Sequence, residues 1–219
     1  MVVVFDCELD SIKEIKAVDL LFLVDTTASM NAYSIELKKF IKKMVWDIQR
    51  CLSQFLLDEM DVLKVGLVSY RDHEDDGLSY LTNIDINLTT DIKKFLNIAM
   101  ALNFWGGKDE PEAVFDGLKV ATNDINWRKK SIKFIYHILD APSHGKKYNN
   151  INGDKYEKCP KNVNIEEVLI KMRQKDIKYT IVKLNDSIDL MLKEFQKFIN
   201  YEVITPNFNI DKSKIKPQE

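Results

Sequence analysis

The sequence contains only three cysteines, Cys7, Cys51 and Cys159, and none of them forms a C-x-x-C pair with another. An odd number of widely separated cysteines argues against a disulfide framework and against a zinc-ribbon site. Reduced thiols in the cytosol fit this pattern best, because disulfides are rare in that compartment. We therefore expect a cytoplasmic protein without structural disulfides.

Long apolar runs and a strong net charge are also missing. No apolar stretch approaches the about 20 residues of a transmembrane helix, and the apolar start at residues 1–6 lacks the basic residues and cleavage site of a signal peptide. The formal net charge of -2 over 219 residues leaves no basic footprint for nucleic acid. No G-x-x-x-x-G-K-[ST] phosphate loop occurs. The sequence is therefore that of a globular domain with neither a basic surface for nucleic acid nor a P-loop for nucleotide phosphates.

Strand-like and helix-like segments alternate along the chain. The near-continuous apolar run at 18–24 is typical of a strand covered on both faces. This alternation predicts an α/β fold with a doubly wound, mostly parallel central sheet, helices on both faces and one short antiparallel edge strand. We place the domain at 18–210, between an N-terminal extension (1–17) and a flexible tail (211–219). Strands are predicted at 18–24, 62–70, 81–88, 131–139, 177–184 and within 201–210, and helices at 34–57, 90–102, 109–123, 165–175 and 187–200.

Two of the predicted core strands end in an acid. Asp25 follows the first core strand, and Asp140 follows the strand at 131–139. In a sheet of order 3-2-1-4-5-6, the first and fourth strands are neighbours at the point where ligands bind. If these two segments are those strands, the two carboxylates lie side by side at the carboxyl edge of the sheet.

Hydroxyl groups accompany the first of these acids. Thr27 and Ser29 follow Asp25 at every second position. Carboxylate and hydroxyl oxygens are hard ligands that suit Mg²⁺, which takes about six oxygens in near-octahedral geometry. Asp25, Thr27, Ser29 and Asp140 would leave positions for water or for an incoming acid, so the sequence suggests a metal site here. Turn capping by the two acids is the simpler alternative.

The segment Asp25-Thr26-Thr27-Ala28-Ser29 resembles the D-x-S/T-x-S signature of the von Willebrand factor A domain, which carries a metal-ion-dependent adhesion site. The resemblance covers residues 18–200. It implies that Asp25, Thr27 and Ser29 bind the metal directly or through water, and that Asp140 is a further ligand. The metal implied is Mg²⁺, with Mn²⁺ or Ca²⁺ as alternatives.

The chain departs from this family at the remaining ligand, which is commonly a Thr after a Gly-rich turn. No Thr occurs between Leu102 and Ala121, and Lys108 or Asp109 takes its place. Residues 106–112 resemble the G-G-G-D-x-P-E variant of A domains attached to certain alpha-type protein kinases of protists, and residues 140–148 resemble their D-A-P-x-H-G-x-x-Y stretch. We take Asp109 as the substitute ligand. A capping box with Glu112 is an alternative role that is compatible with metal binding.

These features predict a non-enzymatic module that captures an acidic side chain, Asp or Glu, of a partner protein through a divalent metal. A third carboxylate from Asp109 would offset the charge of the ion and so weaken its affinity for the partner's acid. Two alternatives are a Mg²⁺-dependent phosphatase of the haloacid dehalogenase type and a scaffold with a degenerate metal site. The phosphatase needs an acid two residues after Asp25 as general acid, and Thr27 stands there.

The three histidines, His73, His137 and His144, show no metal-ligand spacing. We interpret them as core or surface residues, with His137 inside an apolar strand. His144 follows the turn at Asp140 and should face the site. The acidic loop at 72–76 is on the same edge, and we interpret it as a solvated loop rather than as a second cation site.

Overall fold

A computed structural model describes residues 17–55, 62–73, 80–152 and 154–209 of the chain. Its centre is a six-stranded sheet of order β3-β2-β1-β4-β5-β6, as predicted from the alternation of segments. The pairs β1–β2, β1–β4, β4–β5 and β5–β6 are parallel, and β2–β3 is antiparallel. The strands are β1 (Val18–Asp25), β2 (Leu63–Tyr70), β3 (Thr82–Thr89), β4 (Ile132–Leu139), β5 (Ile177–Lys183) and β6 (Tyr201–Ile204).

Within the described residues, five α-helices cover the two faces of this sheet. They are α1 (Ser34–Phe55), α2 (Ile92–Met100), α3 (Val114–Asn123), α4 (Ile165–Gln174) and α5 (Asp189–Phe195), with 3-10 turns at Ser29–Tyr33 and Asp186–Ile188. None of the helices in the described part of the chain is long and apolar enough to cross a membrane.

Strand β1 shows how the sheet divides the core into two layers. Successive side chains of a strand point to opposite faces. Leu20 and Phe22 pack with residues of α1 and α2, whereas Leu21 and Leu23 pack with residues of α3, α4 and α5. All eight residues of β1 are buried, which explains why its sequence is apolar from Leu20 to Val24, while the buried Asp19 is paired with Arg128.

Several element boundaries differ from the prediction. The antiparallel edge strand β3 has the predicted eight residues but begins and ends one residue later than predicted. The helix predicted from residue 109 begins only at Val114, and its N-cap residue Ala113 makes no side-chain capping bond. Asp109 and Glu112 therefore do not form a capping box at its start, because both lie in the irregular segment before the helix. The predicted extension at 1–17, apart from Ala17, and the tail at 211–219 lie outside the described residues.

His137 is a core residue, as predicted. Its ring lies between two buried tyrosines, with Tyr70 Oη 2.9 Å from Nε2 and Tyr179 Oη 2.7 Å from Nδ1. Burial lowers the pKa of His137 to about 3. The neutral imidazole donates through one nitrogen and accepts at the other, so the trio ties β2, β4 and β5 together inside the sheet.

Gly117 lets helix α3 approach this buried network closely. A Cβ atom at this position would lie 2.6 Å from Tyr70 Cδ1 and 3.0 Å from Tyr70 Cγ. The tyrosine ring cannot easily move aside, because its hydroxyl group is bonded to His137. The absence of a side chain at Gly117 therefore allows α3 to pack closely against the carboxyl end of β2.

We expect Gly117→Ala to lower the free energy of unfolding by about 1–2 kcal/mol, because overpacking outweighs the higher helix propensity of alanine. Urea unfolding followed by circular dichroism measures this change. Lys119→Ala, at an exposed position of the same helix, is the control and should change stability by less than about 0.5 kcal/mol. A Gly117→Ala variant as stable as the wild type would contradict the close packing.

Candidate metal centre

The first part of the site is the turn that follows β1. Asp25 is fully buried, and its Oδ1 accepts hydrogen bonds from the Thr27 backbone N–H at 2.9 Å and from the Thr27 hydroxyl at 2.7 Å. The other carboxylate oxygen, Oδ2, is buried and has no hydrogen-bond partner among the described residues. Burying an unpaired carboxylate oxygen is costly, so this atom is a natural ligand for a cation.

The hydroxyls of Thr27 and Ser29 connect the ends of the two neighbouring strands. The Ser29 hydroxyl donates to Asp140 Oδ1 at 3.0 Å, and its oxygen lies 3.2 Å from Thr27 Oγ1. Because the single proton of each hydroxyl is directed to a carboxylate, two oxygen lone pairs then face each other. The predicted neighbours Asp25 and Asp140 thus each accept a hydroxyl hydrogen bond, and the two hydroxyl oxygens lie side by side between them.

A second loop, residues 103–108, is held against this turn by backbone hydrogen bonds. Ala28 N–H donates to the Gly106 carbonyl at 3.0 Å, and Trp105 N–H donates to the Thr26 carbonyl at 3.0 Å. Gly107 has a φ of +79°, and a Cβ there would meet Glu112 Oε1 at 2.9 Å and Thr27 Cβ at 3.2 Å. A glycine is needed at this position both for its backbone conformation and for the space.

The electrostatics of the site favour the uncharged forms of its acids. Burial, with the nearby charge of Asp140, raises the pKa of Asp25 to about 8. Burial also raises the pKa of Asp140 to about 6, although the hydrogen bond from Ser29 opposes this. Buried carboxylates that resist ionisation are stabilised in their charged form by a divalent cation.

Glu112 is a site residue for which the sequence suggested only a role in helix capping. Its side chain is buried and interacts with the Thr27 side chain, and burial, together with the charges of Asp25 and Asp72, raises its pKa well above the usual range. Glu112 N–H donates to the Pro142 carbonyl at 2.8 Å, and the residue forms an isolated bridge with Ser143. The long-range pairing brings it to the site, and no local sequence pattern signals such a contact.

Asp109 lies in the same loop region, beside His144. Its Oδ1 is 4.0 Å from His144 Nε2, and its side chain is partly exposed. His144 is fully buried and also contacts Asp154 Oδ1 at 3.1 Å and Asp72 Oδ1 at 3.4 Å. The expectation that His144 faces the region of the site agrees with this position, and the role of Asp109 as a metal ligand stays a prediction.

The side chains near Asp25 offer oxygen atoms, the ligand type that Mg²⁺ takes in proteins. Mg–O bonds of 2.0–2.1 Å in an octahedron place neighbouring ligand oxygens about 2.9 Å apart, close to the 3.2 Å between Thr27 Oγ1 and Ser29 Oγ. The donor set is entirely oxygen, which suits Mg²⁺ or Mn²⁺. Asp25, Thr27, Ser29 and Asp140 would hold the ion, with Glu112 as a further acid close by.

We expect Glu112→Gln to weaken Mg²⁺ binding by roughly tenfold, or about 1.4 kcal/mol. The cation should favour ionised Glu112 when it binds, and glutamine keeps the side-chain shape but not that charge. Isothermal titration calorimetry measures the change, with Glu202→Gln on the exposed strand β6 as the charge-matched control. Equal affinities in the wild type and Glu112→Gln would show that Glu112 serves only the packing of the loop.

Comparison with known proteins gives one informative relative. The chain is 27% identical over 191 residues to the alpha-protein kinase vwkA of Dictyostelium discoideum. The alignment covers 87% of this chain and 28% of the relative, so the chain spans less than a third of that protein's length. No family model matches the sequence. The similarity to an alpha-protein kinase agrees with the resemblance seen at residues 106–112 and 140–148.

Proposed function

We propose that this protein is a non-enzymatic binding module that captures an acidic side chain of a partner protein through Mg²⁺ or Mn²⁺. The observation that carries the proposal is the close grouping of Asp25, Thr27, Ser29 and Asp140. Within it the buried oxygen Asp25 Oδ2 has no hydrogen-bond partner among the described residues. A divalent cation held there by two carboxylates and two hydroxyls is formally neutralised but keeps about two of its six coordination positions open, and an aspartate or glutamate from outside would fill one of them.

The surface beside this turn supports a protein partner. Trp105 is 44% exposed, and its ring stacks on the Arg71 guanidinium, whose carbon lies 4.1 Å from the ring centroid. The same guanidinium carbon also lies 4.4 Å from the centroid of the Tyr80 ring. A tryptophan fixed in place before binding provides apolar contact area at little cost in conformational entropy. Trp105 would therefore contact the partner next to the captured acid.

A pull-down with the immobilised protein, from cells that express it, tests the proposal. Partners should be retained in Mg²⁺, lost in a chelator and absent from the Asp140→Ala variant. Asp186→Ala, at a 93% exposed surface position, is the control and should retain them. Retention that is unaffected by chelation or by Asp140→Ala would refute metal-dependent capture.

Calorimetry separates this function from the alternative of a scaffold with a degenerate site. A folded protein that binds no Mg²⁺, Mn²⁺ or Ca²⁺ would support the scaffold. Metal binding without any metal-dependent partner would instead indicate a structural cation, whose charge is satisfied by the acids of the protein itself. Hydrolysis of generic phosphate esters that is lost in Asp25→Asn would favour the phosphatase.

A further inference from the structure

A second group of metal-ligating side chains lies outside the oxygen site and contains the donors that Mg²⁺ does not prefer. His73 Nε2 is 2.9 Å from Asp116 Oδ2, and Cys159 Sγ is 3.6 Å from the same oxygen. One donor atom from each of the three residues lies within 4.8 Å of the others. Imidazole, thiolate and carboxylate together are characteristic ligands of Zn²⁺.

Three separate parts of the fold bring these residues together. His73 follows the end of β2, Asp116 is in the first turn of α3, and Cys159 belongs to the loop before α4. The side chain of His73 is 3% exposed, and Cys159 is 4% exposed. The histidine and cysteine are 86 positions apart in the sequence, so a search for short metal-binding spacings does not detect them.

From this geometry we propose that His73, Asp116 and Cys159 form a zinc-binding site. Zn–O and Zn–S bonds of about 2.1 and 2.3 Å at the tetrahedral angle place the two ligand atoms about 3.6 Å apart, as observed for Asp116 Oδ2 and Cys159 Sγ. The His73–Asp116 distance must widen by a few tenths of an ångström. Zn²⁺ replaces the thiol proton, which passes to solvent, and water takes the fourth position.

The neighbouring histidine, His144, already contacts two other carboxylates. The rings of His73 and His144 are 5.2 Å apart, but both ring nitrogens of His144 contact carboxylates, at Asp154 and Asp72. The second ring nitrogen of His73, Nδ1, is buried without a hydrogen-bond partner among the described residues. His73 therefore has fewer competing polar contacts than His144, and its short distance to Asp116 favours the trio with Cys159.

Cobalt spectroscopy tests this proposal on the full, untagged chain. Co²⁺ bound to a thiolate in tetrahedral geometry gives a sulfur-to-metal charge-transfer band in the near ultraviolet and intense visible d–d bands. We expect one equivalent of Co²⁺ to produce both, and Zn²⁺ to abolish them by displacement. Cys159→Ser should remove the charge-transfer band and weaken Co²⁺ binding by about 100-fold, whereas Cys51→Ser and Cys7→Ser should keep the band.

Further variants keep the outcome interpretable. His73→Gln should weaken Co²⁺ binding while the thiolate band persists at high Co²⁺ concentration, and circular dichroism checks that each variant is folded. Asp25→Asn should leave the cobalt spectrum unchanged, because it alters only the oxygen site, so the two sites succeed or fail independently. A folded wild type without a thiolate–cobalt band, or a band that survives in Cys159→Ser, would overturn the proposal.

Discussion

Asp25→Asn is expected to weaken Mg²⁺ binding by at least about 100-fold, or about 2.7 kcal/mol. The asparagine oxygen can still accept both hydrogen bonds from Thr27, which Asp25 Oδ1 accepts at 2.9 and 2.7 Å. The amide nitrogen takes the position of Oδ2, the buried oxygen without a hydrogen-bond partner among the described residues. The variant therefore keeps the turn but loses the charge and the oxygen that the cation needs.

Thermal unfolding in a chelator and in excess Mg²⁺ provides a second measurement. A ligand that binds only the folded state raises the unfolding temperature, so Mg²⁺ should stabilise the wild type and leave Asp25→Asn unchanged. Asp47→Asn, on the exposed side of α1, should respond as the wild type does. If Mg²⁺ stabilised Asp25→Asn to the same degree, Asp25 would not be a ligand.

The strand ends of this fold could be predicted from the sequence, because their apolar runs and their order along the chain carry the information. Topology alone predicted that Asp25 and Asp140 would be neighbours, and the pairing of Val24 with Ile138 confirms it. The hydroxyl pattern then pointed to Thr27 and Ser29. Parallel strands and right-handed crossovers leave few alternative placements for such residues.

The other residues of this edge could not be predicted in the same way. Pro111 and the acids around it suggested a helix start, but pairing with the segment at Ser143 holds Glu112 in an irregular loop. This tertiary contact outweighed the local helix signal. His73 and Cys159 meet at Asp116 for a related reason, since two loops and the first turn of α3 come together there from three parts of the chain.

The stability of the metal-free protein is expected to fall as the pH rises from 6.5 to 8. Asp25 has a pKa of about 8 in the folded state, raised from 3.8 by burial and by Asp140. The folded state therefore holds a proton that the unfolded state has released, and stability decreases with pH wherever the folded state binds more protons. Each pKa unit corresponds to about 1.4 kcal/mol, so the loss across this window should reach one to two kcal/mol.

The choice of window removes the titrations of His137 and Asp140 but not that of Glu112, whose pKa burial raises well above its usual range and whose effect has the same sign as that of Asp25. Burial lowers the pKa of His137 from 6.5 to about 3, so this residue destabilises the fold only below pH 6.5. Asp140, with a folded pKa of about 6, has released most of its proton before the window begins. Burial opposes protonation of His73 and His144, but their carboxylate neighbours outweigh it and raise both pKa values, so their effect has the same sign as that of Asp25.

Asp25→Asn separates these contributions, because it removes the carboxylate and leaves the histidines in place. Urea unfolding at pH 6.5 and 8 in a chelator should show a smaller loss of stability for the variant than for the wild type. In excess Mg²⁺ the trend for the wild type should weaken or reverse, because the cation competes with the proton for Asp25 and binds more tightly as the pH rises. Parallel pH profiles of wild type and variant would mean that Asp25 is already ionised in the metal-free fold. Mg²⁺ binding would then displace no proton from Asp25.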